Sequence, residues 1–140
     1  MKEYNLGRFF PEHTRDYPQA LREIRAGQKR THWIWYIFPQ LRGLGTTDYS
    51  YKFGIVDADE ARMYLSHPEL GHDLEEISGA LLTLPVNDPV KVMGKIDAMK
   101  LKSCMTLFAV ISPEGSVYHK VLDKFFGGKM DGRTLSMLKL

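Results

Sequence analysis

The chain has 140 residues, with 19 Lys and Arg against 17 Asp and Glu, 44% hydrophobic residues and one cysteine. That length suits one domain. The near-neutral charge excludes a histone-like electrostatic binder, and the lone Cys104 excludes an intramolecular disulfide. The opening MKEYNLGRFF lacks the apolar core of a signal peptide, and no apolar run approaches the ~20 residues needed to cross a bilayer, so a soluble cytoplasmic protein is expected.

The pattern is helical nearly throughout. Phe9 and Phe10 sit on a short helix ending near Pro11. Asp16-Tyr17-Pro18 opens the next helix, with Asp16 or Tyr17 as cap and Pro18 in the first turn, where a missing N–H costs nothing. Leu21 and Ile24 face inward, with the stem of Arg25 beside them, and Gly27 stands where a left-handed C-terminal cap belongs. Periodicity does not separate strand from helix in THWIWYIF, Thr31 to Phe38, which is apolar on all sides. No second strand is present to pair with it, so it reads as a short buried helix ended by Pro39. Gly43 to Ser50 is a loop by its glycines and small polar residues.

Asp57 and Glu60 have capping-box spacing and open a helix offering Ala61, Met63, Tyr64 and Leu65 for burial. His67-Pro68 breaks it and starts another, whose Leu70, Leu74, Ile77, Leu81 and Leu84 share one face. Asp88-Pro89 begins a short turn. Asp97 heads a largely buried helix carrying Met99, Leu101, Met105, Leu107, Phe108 and Ile111. Ser116 to Phe126 is a further amphipathic helix closed by Gly127-Gly128, and Asp131 to Leu138 is the last, with Leu135 and Leu138 inward. With no repeat, linker or low-complexity tract, residues 1–140 form a compact, all-α, multihelical single domain.

Charge is polarised along this chain. Ile24 to Thr47 holds Arg25, Lys29, Arg30 and Arg42 and no acid, whereas Asp57 to Glu76 holds seven acids against Arg62. Lys91, Lys95, Lys100 and Lys102 surround the single Asp97. A cleft between the two basic segments would attract an anion; the other reading makes both segments solvated faces balanced by the acidic helices. Both tryptophans lie in KRTHWIWYIFPQLRGLG beside His32, Tyr36, Gln40 and Arg42. Their flat faces suit a nucleobase and the arginine forks suit phosphate, although Trp33, Ile34, Ile37 and Phe38 also read simply as core.

Other chemistries lack their motifs. His13, His32, His67, His72 and His119 show no metal spacing, so no metal is expected. Cys104 sits among apolar residues and reads as a small buried hydrophobe. There is no GxSxG, Walker loop or dinucleotide fingerprint, and no helix carries the row of Arg, Asn or Gln that reads DNA.

Four blocks in order, KRTHWIWYIFPQLRGLG, EARMYLSHPELG, DAMKLKSCMTLFA and VLDKFFGGKMDGRTL, resemble the family called domain of unknown function 1810. The resemblance runs from Leu6 to Leu135 and implies a small, mostly bacterial, all-helical protein whose molecular function is not established. The chain departs from that family's pattern at Thr31, Ile34 and Cys104, where serine, methionine and serine are usual, and Pro11 disturbs the first helix. A more distant likeness is to the NADAR proteins, which act on ADP-ribose linked to nucleobases or related N-glycosides.

Three functional readings follow. In the first, an enzyme cleaves an N-glycosidic or phosphoribosyl bond of a nucleotide-like substrate: Trp33 or Tyr36 stacks on the base, Arg30, Arg42 and Lys102 hold phosphate, Asp97 stabilises the oxocarbenium ion and His32 protonates the leaving base. Gln40, Lys100 and Ser103 complete the expected ligand-binding set. At a helix start, Asp97 also reads as a cap alone. In the second, the same residues sense or sequester a nucleotide-like anion without turnover. In the third, the acidic helices dock a basic protein. No cofactor, nucleic acid or membrane partner is expected, and a homodimer is only the common default.

Overall fold

The computed structural model describes residues 4–139. A 3-10 turn at Leu6–Phe9 precedes α1 (Glu12–Arg25), α2 (Ile34–Ile37), α3 (Asp48–Lys52), α4 (Ala58–Ser66) and α5 (Leu70–Leu82). Then follow α6 (Pro89–Met93), α7 (Lys95–Val110), α8 (Val117–Phe126) and α9 (Gly132–Leu138). Among the described residues the only β pairing is one bridge between Leu41 and Ile55. The domain is all-α. No helix among the described residues is long and apolar enough to cross a membrane.

α7 is the central post. Its residues from Ser103 to Ala109 are buried without interruption, which a helix sustains only when neighbours cover it all round. α8, α6, α9 and α4 pack against it, and α5 joins α8, α4 and α1 on the far side. The predicted inner face of α5 is buried as drawn, from Leu70 through Leu74, Ile77 and Leu81 to Leu84. Phe9, Tyr64, Phe108 and Tyr118 meet ring to ring between these layers.

Several boundaries differ from the sequence expectation. α1 begins at Glu12, so Pro18 lies inside it and neither Asp16 nor Tyr17 is its cap. An interior proline removes a helical hydrogen bond, but here tertiary contacts hold the first turns. His13 Nδ1 faces the Tyr36 carbonyl at 2.9 Å, and Tyr17 Oη donates to Glu76 at 2.7 Å and to the Asp73 carbonyl at 3.0 Å. Gly27 does take the left-handed conformation, φ 81°, that ends the helix. The expected loop from Gly43 to Ser50 turns into α3 at Asp48, because Thr47 Oγ1 accepts from Ser50 N at 3.1 Å and caps a helix. Met63 and Met99 are exposed rather than buried, and on α9 Thr134 faces the core while Leu135 faces out.

Asp97 is not a cap. α7 begins two residues earlier, after Gly94, and the Asp97 carboxylate makes no bond to a backbone N–H. The expected cap role therefore gives way to ion pairing.

Candidate functional site: a cleft between the Lys29–Tyr36 segment and α7

Glu23, on the inner face of α1, builds one wall of the cleft. Its Oε1 accepts from Arg30 N (2.7 Å), Thr31 N (2.9 Å) and Trp33 Nε1 (3.0 Å), and its Oε2 accepts from Thr31 Oγ1 (2.6 Å) and Gln19 Nε2 (2.8 Å). Burial pushes the Glu23 carboxyl up, yet the hydrogen bonds from Thr31, the Arg30 and Thr31 amides and Gln19 outweigh it and bring it down to about 2. This carboxylate folds the 29–33 segment back over α1. Sequence reading did not single it out, although a Glu facing the inner side of an amphipathic helix is the available signal.

Lys29 joins that segment to the other wall. Its backbone N–H donates to Val92 O at 2.7 Å, tying it to α6. Its ammonium donates to Thr31 O at 2.6 Å, lies 4.8 Å above the Trp33 ring, and pairs with Asp97 Oδ2 at 2.9 Å. The side chain is only 6% exposed, so the cation is a fixed part of the wall. Lys100, one turn beyond Asp97, pairs with Oδ1 at 3.4 Å and lies 4.3 Å above the Trp35 ring. Asp97 thus sits between two ammonium groups.

Two cavities open here and share Trp35 and Lys100. The smaller, about 150 Å³, has aromatic walls from Trp33, Trp35, Tyr36 and Tyr49 and a polar rim of His32, Lys29, Asp97 and Lys100. The larger, about 260 Å³, is mostly apolar, bounded by Trp35, Leu44, Ile96 and Met99, with Gln40, Ser103, Asp131 and Arg133 as its polar groups. Gly45 admits the Trp35 ring closely: an added Cβ would stand 3.3 Å from the indole and only 2.7 Å from Ser50 Cβ.

The fold gathers seven of the ten sequence candidates around this pair of cavities and leaves three outside. His32, Trp33, Tyr36, Asp97 and Lys100 line the smaller cavity, and Gln40, Ser103 and again Lys100 line the larger. Trp33 is 2% exposed and committed to Glu23, so it serves as a wall rather than a stacking face. Tyr36 is buried too, with its hydroxyl on Asp16 and the His32 carbonyl; burial and Asp16 push its phenol up to about 12. His32 is exposed, and its ring has no hydrogen-bond partner among the described residues.

Arg30, Arg42 and Lys102 line neither cavity. The Arg30 guanidinium is exposed and reaches Gln28 at 3.3 Å. Arg42 stacks 4.1 Å from the Tyr51 ring and donates to the Tyr51 carbonyl at 2.9 Å. The phosphate-holding roles expected of these three find no support in their positions. Among the lining residues that sequence reading missed are Lys29, Trp35, Tyr49 and Arg133. Lys29 belongs to the basic run read from the sequence, whereas Trp35 and Trp33 are indistinguishable in an all-apolar stretch.

The fold also assembles what spacing did not suggest. His13, Glu69 and Asp73 have ligand atoms close enough to hold an ion, as do His72, Asp73 and Glu76. These groups satisfy one another: His13 Nε2 meets Asp73 Oδ2 at 2.9 Å, His72 Nδ1 meets Asp73 Oδ1 at 3.1 Å, and Thr14 Oγ1 donates to Glu69 at 2.6 Å. Cys104 is fully buried, and its burial pushes the thiol up, which keeps it unreactive.

The crystal structure of the conserved hypothetical protein Rv1873 from Mycobacterium tuberculosis superposes with a TM-score of 0.93 at 38% identity, covering 96% of each chain. No curated protein matches. Residues 3–138 match the family described as protein of unknown function (DUF1810). With nearly its whole length matched, the chain belongs to the DUF1810 family.

Proposed function

We propose that this protein binds a phosphorylated, nucleotide-like small molecule of the ADP-ribose type, with the anionic group of the ligand against Lys100 and His32. The observation that carries this reading is the position of Lys100. Its ammonium is shared by both cavities, lies over the Trp35 ring and has only one carboxylate partner, Asp97, which Lys29 already neutralises. Around the smaller cavity two lysines therefore face one acid, with the His32 ring free beside them. A water-excluding aromatic wall strengthens the attraction of such a site for an anion.

Binding without turnover fits this geometry better than hydrolysis of an N-glycosidic bond. A carboxylate that stabilises an oxocarbenium ion works through its negative charge, and two ammonium groups already compensate that of Asp97. The sensing or sequestering role is accordingly the reading preferred here, with hydrolysis as its alternative.

A thermal-shift titration with AMP, ADP-ribose, NAD and inorganic phosphate tests it. A ligand at 100 times its dissociation constant adds about 2.7 kcal/mol, or several degrees in a domain of this size. The expected result is stabilisation by at least one phosphorylated nucleotide and release of no free base. A panel that leaves the melting temperature unchanged overturns the proposal, and release of free base favours the hydrolase instead.

A further inference from the structure

Within the larger cavity one largely enclosed side chain has a polar end that meets no other part of the chain and stays open to the cavity. Gln40 is 8% exposed, and its amide makes no hydrogen bond to any described residue, although its backbone carbonyl accepts from Ile55 N at 2.9 Å. An amide whose stem is enclosed and whose polar end has no partner in the chain is free to pair with whatever enters. The chain keeps this one in a cavity wall, where an occupant can reach it.

Its surroundings define that occupant. Trp35, Leu44, Ile96 and Met99 make the cavity chiefly apolar, and Ile96 and Met99, both 70% exposed, stand at its edge on the first turns of α7. Exposed thioether and aliphatic side chains at a cavity mouth suit a flat apolar surface that they can cover. Apart from Lys100 at the edge shared with the smaller cavity, the charged groups here are one acid and one base, Asp131 and Arg133. Asp131 uses Oδ2 to accept from Thr134 N (2.9 Å) and Thr134 Oγ1 (2.6 Å), leaving Oδ1 available, and Arg133 makes only long contacts of 3.4 and 3.5 Å to the Leu44 and Gly43 carbonyls. Ser103 Oγ donates to Met99 O at 3.2 Å and keeps its acceptor capacity. Away from the Lys100 edge an anion gains little, whereas a planar uncharged ring with hydrogen-bonding edges gains both burial and partners.

We infer that the larger cavity is a subsite for an uncharged planar heterocycle presenting a hydrogen-bond donor and acceptor side by side, a nucleobase or carboxamide ring, read by the Gln40 amide. This deepens the anion-binding reading and rests on it: the heterocycle occupies the larger cavity, the anionic group the smaller, and Trp35 and Lys100 lie between them. An amide pairs with such an edge through its own adjacent donor and acceptor.

Calorimetric titration of the full chain with ribose 5-phosphate and with AMP, GMP, UMP and CMP tests the inference. The same titrations on Gln40→Leu complete it. The expected result is that at least one nucleotide binds the wild-type chain roughly tenfold or more tighter than ribose 5-phosphate, and that Gln40→Leu removes this advantage while ribose 5-phosphate binds as before. Because the amide has no partner to lose, the variant melts no lower than wild type. Equal affinity for ribose 5-phosphate and every nucleotide, or a nucleotide advantage that survives Gln40→Leu, overturns the subsite and leaves the anion site standing. Failure of all five ligands to bind overturns both.

Discussion

Glu23 and Asp97 both lie against the segment from Lys29 to Tyr36, one reaching from α1 and the other from α7. Glu23 is enclosed by neutral donors, five hydrogen bonds from amides, a hydroxyl and an indole. Asp97 is half-buried and held by two ammonium groups, one fixed over the Trp33 ring and one at the mouth of two cavities. Neutral, directional bonds lock a chain segment in place. Ionic contacts at a cavity mouth leave a cation that an incoming anion can share. The difference separates a carboxylate that builds the cleft from one that tunes it.

Removing Glu23 should break the first half of this comparison most severely. Glu23→Ala leaves the Arg30 and Thr31 amides and the Trp33 indole without their acceptor, and a loss of about 3 kcal/mol or more in denaturant unfolding is expected. The pH dependence has a defined sign. The Glu23 carboxyl titrates at about 2 in the folded chain against a usual value near 4.5, so its contribution is fully present above about pH 4.5 and is lost as pH falls toward 2. That contribution is about 3 kcal/mol, and the unfolding free energy of Glu23→Gln should show a correspondingly shallower fall over this range.

Asp97→Asn should have a smaller effect. It leaves the buried Lys29 ammonium with the Thr31 carbonyl and the Trp33 face alone, and a destabilisation of about 1–2 kcal/mol is expected from thermal unfolding. A loss below about 0.5 kcal/mol would show that the Lys29 pair contributes nothing and that the two carboxylates differ less than their contacts suggest. Lys100→Ala should leave stability nearly unchanged, since its ion pair is partly solvated. It should weaken nucleotide binding roughly tenfold, equivalent to about 1.4 kcal/mol. The smallest effect belongs to Arg30→Ala, expected within about 0.5 kcal/mol in stability because the guanidinium is exposed, and with unchanged affinity.

How far these positions were legible in the sequence depended on whether local pattern or tertiary contact decided them. The stripe of Leu70, Leu74, Ile77 and Leu81 is a periodicity, and the fold buries it as the spacing predicts. The caps at Asp57, Asp88, Ser116 and Asp131 are local as well, and each accepts from the backbone of its own first turn. The start of α1 was not legible, because His13 and Tyr17 hold the turns before Pro18 through partners at Tyr36, Asp73 and Glu76. Trp33 and Trp35 are two residues apart in an apolar run, and only Glu23, ten residues upstream of Trp33, decides which indole is enclosed. Arg30 and Lys29 are adjacent cations, yet the bond from Lys29 N to Val92 O turns one of them into the cleft. Composition located the basic and aromatic segment; long-range hydrogen bonds decided which of its side chains face the cavities.

The most direct test of the account is calorimetry of ADP-ribose with the wild-type chain, Lys100→Ala and Arg30→Ala, side by side. Binding to wild type and to Arg30→Ala with matching affinity is expected, with at least a roughly tenfold loss in Lys100→Ala. Equal affinity in all three chains, or a loss confined to Arg30→Ala, would contradict the assignment of the anion site to the cleft between Trp35 and α7.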